Sequence, residues 1–519
     1  MTDLKLLPAI SALSFSALGL FLVFLQMDGV ISVRVGFSIL TMLLMAYLWI
    51  QVLHVRRVHP DRWLLNPAVL CSVMTFFLGF GITNLLFFLP AEDLRPLGMV
   101  PDVSPAMFKL MWLVLLGAIG MWVGYWSPLA ALWSGPAQVN RFSKLIQNSN
   151  QLRPWAVPSL LAISIVVRLI SIQLGTFGYS SNYERLVEMG AVTQYIALLS
   201  ALGKLALVAT SLEYYSNDSN QRTRILFLLT LAVEVAFGFL SGFKSAVAMP
   251  FFIVGVCQYL KKGSLPKKWI FLVFIGIFIA YQVIEPFRDA KNSDRSYQGT
   301  SATEIFDVML GAVSESQELA DDEGRSRSVL AIVARSSMAY IGSLGIDFAD
   351  QGSVLPEGSP KFLEDIFLAP FHAWIPRLLW PSKPLGDIGL WYTQVVVGHS
   401  DSFSSTAMSS FTFLYFAGGA GAVFLGFLFL GIAQRLIWYL VQPTRYSGGA
   451  IVFLGILQAI SVLGDSLASL IIVLVRELPL LLLIQVVLYR SEVVLVNGAN
   501  LLDGEHHAAH GANLSSRRS

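Results

Sequence analysis

The chain reads as an all-α, polytopic integral membrane protein with about twelve transmembrane helices. Three observations carry that expectation. Of 519 residues, 55% are hydrophobic and only 13% charged, against roughly 25% charged in an ordinary soluble domain. Apolar runs long enough to cross a bilayer, about 20 residues each, recur along the whole length, and the mean hydropathy is +0.66. The basic residues between those runs fall on alternate connections, as the retention of Lys and Arg on the cytoplasmic side requires. The net charge of +2 is too balanced for a nucleic-acid binder. The two cysteines, Cys71 and Cys257, lie inside apolar runs and support neither a disulfide framework nor a thiolate metal site.

Twelve spans follow from the apolar runs: 7–26, 30–53, 64–89, 107–127, 154–174, 192–212, 225–241, 245–260, 269–285, 407–433, 448–464 and 468–489. The first lacks a small-residue cleavage site and is followed at once by a second span, so it reads as a helix rather than a signal peptide. One set of connections carries fifteen basic residues: Arg56, Arg57, Arg62, Arg141, Lys144, Arg153, Arg222, Arg224, Lys261, Lys262, Lys267, Lys268, Arg435, Arg445 and Arg490. The short connections on the other side carry three, Arg95, Arg185 and Lys244. Both termini are therefore expected in the cytoplasm.

The organisation that results is nine helices over 1–285, a large outer loop over 286–406, three helices over 407–490 and a tail over 491–519. The tail carries His506, His507 and His510, but its Gly, Ala and Asn content reads as disorder rather than a metal site. The loop of 121 residues is acidic, with nine Lys+Arg against sixteen Asp+Glu. Structureless loops beyond about 15 residues are uncommon and usually functional, so the chemistry is expected here. Two pieces, 330–346 and 362–380, are amphipathic enough to lie at the membrane interface.

Ionisable groups inside spans raise a functional question by default. Lys204 and Glu234 fall near the midplane of the sixth and seventh spans, where a structural ion pair between them is expected. Arg476 and Glu477 are adjacent in the last span and should point to different faces. Arg34, Arg168, Lys244 and Arg288 fall near the outer surface. Singly each reads as a snorkelling anchor; together they would line the outer mouth of one bundle, which suits an anionic lipid headgroup and a pyrophosphate in particular.

There is no GxxxxGK[ST], HExxH or GxSxG, hence no P-loop, zincin or nucleophile elbow. An enzyme here would need an already activated substrate. No cofactor is expected, because the densest acidic run, Glu315 to Glu323, reads as a solvated segment rather than a divalent-metal cage. The run Ala417 to Gly431, AGGAGAVFLGFLFLG, is glycine-rich inside a span, which means close helix packing rather than phosphate cradling. The sharpest string is Ile375-Pro376-Arg377-Leu378-Leu379-Trp380-Pro381-Ser382-Lys383-Pro384. Its three prolines fix an irregular backbone and present one guanidinium and one ammonium beside a Trp.

That string resembles the proline–arginine…tryptophan–proline-x-lysine-proline signature of the O-antigen, or oligosaccharide repeat-unit, polymerases of the Wzy type. Leu240-Ser241-Gly242-Phe243-Lys244-Ser245 resembles that family's short Gly-x-Arg/Lys turn between two central helices. Arg335 sits where the family often has an arginine in an amphipathic loop helix. Ser404 to Gly421 resembles the stretch leading into the next span, although this chain has Thr412 where many members carry a glutamate.

The resemblance implies a GT-C-like fold in a bacterial inner membrane and two substrates on undecaprenyl pyrophosphate, with a chain-length regulator and a flippase as further partners. A hydroxyl of the new unit attacks the anomeric carbon of the growing chain, and undecaprenyl pyrophosphate leaves. Fixed cations facing that leaving group would stabilise the transition state more than the ground state. Arg377 and Lys383 are first choices, with Arg288, Arg335 and Lys244 next. Arg168, Arg34 and Trp380 join Arg288 and Lys244 as substrate-binding candidates. Asp387, His372, His399, Glu364 and Asp365 are candidate proton acceptors. Two other classes stay open: a ligase that moves a finished glycan to lipid A core, and a transporter or flippase in which Lys204, Glu234 and Arg476 line an ion path.

Overall fold

The computed structural model describes residues 3–89, 102–146, 151–181, 189–216, 220–293, 297–318, 337–352, 355–356, 359–375, 380, 388–399, 405–462 and 467–490. Among them the architecture is all-helical, with no strand beyond one isolated bridge between Leu152 and Tyr489. Ten helices are long and apolar enough to cross a membrane.

The first half holds α1 (Asp3–Met27), α2 (Val33–Val58), α3 (Pro67–Phe88) and α4 (Pro105–Trp126). Starts are set by capping: the Ser32 hydroxyl accepts from Val35 N, and Ser104, followed by Pro105, accepts from Met107 N. The third span changes pitch, running as a π-helix over Ser72–Gly81 and a 3-10 helix over Ile82–Phe88. Next come α5 (Ala156–Gln173), α6 (Gly190–Ser200), α7 (Leu202–Tyr214), α8 (Gln221–Leu240), α9 (Lys244–Lys262) and α10 (Lys267–Ser293). The ninth expected span stops at 285, before Pro286; α10 instead runs through that proline for two more turns. The end of the bundle where α10 terminates is called the insertion end below.

The insertion contributes α11 (Ala302–Glu318), α12 (Ala339–Asp350) and α13 (Phe362–Trp374), and α14 (Ser410–Val441), α15 (Ser447–Ser461) and α16 (Leu467–Leu488) complete the chain. Both amphipathic pieces pack on protein. Helix α12 lies against α4 and α14, and α13 against α14 and α16. The Thr412 hydroxyl donates to Gly342 O at 3.1 Å, pinning α12 to the start of α14.

The tightest contact in the bundle is α4 on α14. A Cβ on Gly120 would lie 2.7 Å from Phe424 O, one on Gly124 2.1 Å from Leu428 O, and one on Gly431 1.9 Å from Met121 O. Backbones approach this closely only where side chains are missing, and in lipid such packing holds helices together. The glycine run of α14 thus has the packing role expected at Gly431. Its first part does something else: Gly418 and Gly419 leave helical geometry, and Gly419 has φ 66°, ψ −156°, a region essentially restricted to glycine. The helix is broken there.

A cationic and aromatic cluster at the insertion end

Helix α8 ends at Leu240 and the chain turns into α9 through Ser241, Gly242 and Phe243. Gly242 has φ 65°, a left-handed conformation that glycine adopts without a Cβ penalty. The turn is as expected from the sequence, and it carries two of the expected cations. Arg288, on the last turns of α10, donates Nε and Nη2 to Gly242 O at 3.2 and 3.0 Å. Lys244, on the first turn of α9, pairs with Glu285 and sits 3.8 Å from the centroid of the Tyr281 ring.

A third cation was not singled out from sequence. Lys291 lies three residues beyond Arg288, one helical turn on, and donates to Tyr179 O. The Tyr179 ring has Arg288 at 4.0 Å and Lys291 at 4.6 Å from its centroid, both within cation–π range. Burial, and then the Arg288 charge, lower the Lys291 pKa to about 8. A signal was available: continuing the helical periodicity through Pro286 puts Arg288 and Lys291 on one face. Ending the span at the proline hid it.

The platform is held from below and beside. Tyr179 N donates to Ser241 O at 2.8 Å, and the Tyr297 hydroxyl donates to Ser180 O at 3.0 Å. Phe177, Phe287, Tyr297, Ile305 and Met309 form an apolar cluster under it. The Glu304 carboxylate accepts from the backbone N–H groups of Gln298, Gly299 and Thr300 at 2.9, 3.1 and 3.0 Å. Burial pushes its pKa up, but these N–H groups outweigh burial and hold the carboxyl below the usual range.

The remaining expected residues do not join this cluster. Arg34 donates to Phe87 O at 3.2 Å, tying α2 to α3. Arg168 is buried between α5 and α8, where Nη1 and Nη2 reach the two Glu234 carboxylate oxygens at 2.7 and 3.0 Å, and Nη2 also donates to Ser200 O. The expected Lys204–Glu234 pair is therefore corrected: Arg168 takes both oxygens, because a planar fork matches a carboxylate as an ammonium cannot. Arg476 and Glu477 also differ from expectation. The π-helical turn Val473–Glu477 brings Arg476 Nη2 to 3.0 Å from Glu477 Oε1, since the wider turn alters the angle between successive side chains.

His372 and Trp380 pack together, ring centroids 5.1 Å apart, at the end of α13. On the same helix burial pushes the Asp365 carboxyl up; His372 and Lys361 oppose that and Glu364 adds to it. Arg377, Lys383, Arg335 and Asp387 lie outside the described residues. An acid does reach the start of α14, from a direction the sequence did not indicate. Asp350, at the end of α12, accepts from Lys109 Nζ with both oxygens at 2.7 Å and from the Tyr415 hydroxyl at 2.7 Å. Those three residues are far apart in the chain, so no local pattern marks them. Among the described residues no group of three or more His, Cys, Asp or Glu is placed to hold a metal ion.

These features define a polytopic, all-helical membrane protein with a basic, aromatic-lined cluster at one end of its bundle. The chain belongs to the family described as a domain of unknown function, DUF8712, whose model matches residues 163–496. The match takes in the cluster, the insertion and the buried pairs, and leaves α1 to α4 outside. No curated protein and no solved structure matches the chain.

Proposed function

We propose that the chain is a glycosyltransferase of the O-antigen or repeat-unit polymerase type, joining glycans carried on undecaprenyl pyrophosphate at the outer face of a bacterial inner membrane. The observation that carries the reading is the gathering of Lys244, Arg288 and Lys291 around Tyr179, Tyr281 and Tyr297 at the insertion end. Cations at the depth of lipid headgroups suit a pyrophosphate whose prenyl chain stays in the bilayer. Twelve spans with cytoplasmic termini would put this end outside.

In this reading the acceptor hydroxyl oxygen attacks the anomeric carbon, and the bond from that carbon to the pyrophosphate breaks. The electron pair leaves with the pyrophosphate, and the hydroxyl proton passes to a carboxylate or imidazole. Arg288 and Lys291 offset the charge that grows on the leaving group, helped by Arg377 and Lys383 from the loop. Asp365, whose carboxyl burial pushes up, and His372 are the candidate proton acceptors closest in sequence to that loop string. No nucleotide is needed, in keeping with the missing nucleotide motifs.

The test uses purified protein in lipid vesicles with a polyprenyl-pyrophosphate-linked repeat unit. Longer lipid-linked glycan and released polyprenyl pyrophosphate support the reading. Transfer of the glycan to a lipid A acceptor instead, or movement of the lipid between leaflets without elongation, would replace it.

A further inference from the structure

At the end of the bundle opposite the insertion end, two connections far apart in the chain are drawn together. Arg62, in the turn between α2 and α3, holds a left-handed φ of 50°, uncommon away from glycine. Its Nε donates to Leu260 O at 2.8 Å, on the last turn of α9. A Cβ on Gly263 would lie 3.5 Å from Arg62 Nη2. Lys262, between these two contact points, is thereby brought beside Arg62. The contacts continue onto α10. Lys262 Nζ lies 5.3 Å from the centroid of the Tyr215 ring, the Tyr215 hydroxyl accepts from Trp269 Nε1 at 2.7 Å, and Lys268 Nζ lies 5.8 Å from the Trp269 ring. On the other side, Arg56 lies 5.7 Å from the ring of Trp63, the residue after Arg62.

The result is an arc of four cations interleaved with three aromatic rings. Arg56, Lys262 and Lys268 are exposed, and among the described residues none of them has a carboxylate partner; Arg62 pairs with Asp61. Tryptophan and tyrosine concentrate at the membrane–water boundary, so these rings place the arc at headgroup depth. Directly inward the surface turns apolar. Lys267, Phe271, Phe274 and Phe278 follow one another at i, i+4, i+7 and i+11 on α10, which is one face of a helix, and the three phenylalanines are exposed. Positive charge with an exposed hydrocarbon face one turn beneath it fits a molecule with an anionic head and an apolar tail. A soluble polyanion would use the cations and leave the phenylalanines idle.

We infer that this arc binds anionic phospholipids, the phosphate facing Arg56, Arg62, Lys262 and Lys268 and the acyl chains lying along the Phe271–Phe278 face of α10. On the distribution of basic residues this end faces the cytoplasm, and the anionic lipids of that leaflet attract basic segments. The site lies at the opposite end from the Tyr179 cluster and stands apart from the glycosyltransferase reading.

The experiment titrates the full chain, purified in detergent, with fluorescent phosphatidylglycerol and with fluorescent phosphatidylcholine. Phosphatidylglycerol should bind more tightly, and the preference should shrink as salt rises. A basic residue near an anionic surface contributes about fivefold in affinity, so Lys262→Gln with Lys268→Gln should lose roughly 25-fold. Arg141→Gln with Lys144→Gln, exposed cations at the same end but off the arc, should lose little. Phe271→Ser with Phe274→Ser should weaken phosphatidylglycerol and leave glycerol phosphate, the head without the tail, unchanged. Every side chain changed is exposed, so the variants should elute with the parent in size-exclusion chromatography; should the serine pair not do so, the two glutamine pairs still decide. Equal affinity for the two lipids, or equal loss from the charge pairs on and off the arc, overturns the inference. So does glycerol phosphate binding as tightly as the lipid, which would make the ligand a soluble anion.

Discussion

Removing Arg168 should destabilise the protein without the involvement of any substrate. Its guanidinium makes a two-pronged contact with Glu234, the two side chains are 6% and 3% exposed, and Ser200 O takes a further N–H. Arg168→Ala leaves a buried carboxylate without its hydrogen-bonding partner, and breaking a buried pair in this way typically costs about 3–5 kcal/mol. Gly203→Ala should do comparable harm by pushing a methyl onto Glu234 Oε1. Replacing both partners together, Arg168→Leu with Glu234→Leu, removes the stranded charge and should recover most of the loss, because apolar replacements of buried pairs are often neutral or better. The assay is the temperature at which detergent-purified protein leaves its monodisperse peak in size-exclusion chromatography. A parent-like Arg168→Ala, or a double variant less stable than either single one, would refute the reasoning.

Arg288→Ala should lower release of polyprenyl pyrophosphate by roughly 10²–10³, the usual cost of one preorganised donor, and Arg288→Lys should recover only part, having lost the fork; unchanged release from well-folded Arg288→Ala removes it from the site. Lys291 titrates near 8, so it is charged below that pH and neutral above it. Affinity for a pyrophosphate lipid should therefore fall between about pH 7 and about pH 9, and Lys291→Arg should flatten the profile; a parent profile already flat there contradicts the assignment. Because the folded pKa lies below that of an ordinary lysine, the same group makes the fold more stable, not less, as pH rises from about 8 toward 10, which separates loss of binding from unfolding. Gly431→Val should prevent α4 and α14 from meeting and reduce the yield of folded protein, whereas Ala at Gly421, which has open space around it, should be tolerated.

Composition and hydropathy carried most of the fold, because each span satisfies its own backbone and announces itself locally. They failed where geometry departs from a plain helix. Pro286 looked like a stop, but only one backbone bond is lost there and packing of Phe287 into the cluster with Phe177 and Tyr297 holds the helix on course. The π-helical turn at Val473–Glu477 has no pattern of its own, so two adjacent charges were read as divergent. The site was legible in part. Arg288 reaches Gly242 O in the turn that leads into Lys244, both being placed at this end by sequence position, whereas Arg168 was assigned by depth alone, and depth does not say which neighbour a guanidinium will find. Asp350 reaches Tyr415 only through the return of α12 onto the bundle, a contact between residues 65 positions apart.

The broken helix α14 has a mechanical consequence. On the far side of Gly419, Gly431 locks it to α4 backbone against backbone; on the near side, Thr412 and Tyr415 are fastened to α12 and move with the insertion. The break interrupts the ladder of hydrogen bonds that would otherwise transmit a tilt from one half to the other. The first turns of α14 can therefore follow α12, itself held to α4 by Asp350 on Lys109, at an angle that the zipped length beyond Gly419 does not dictate.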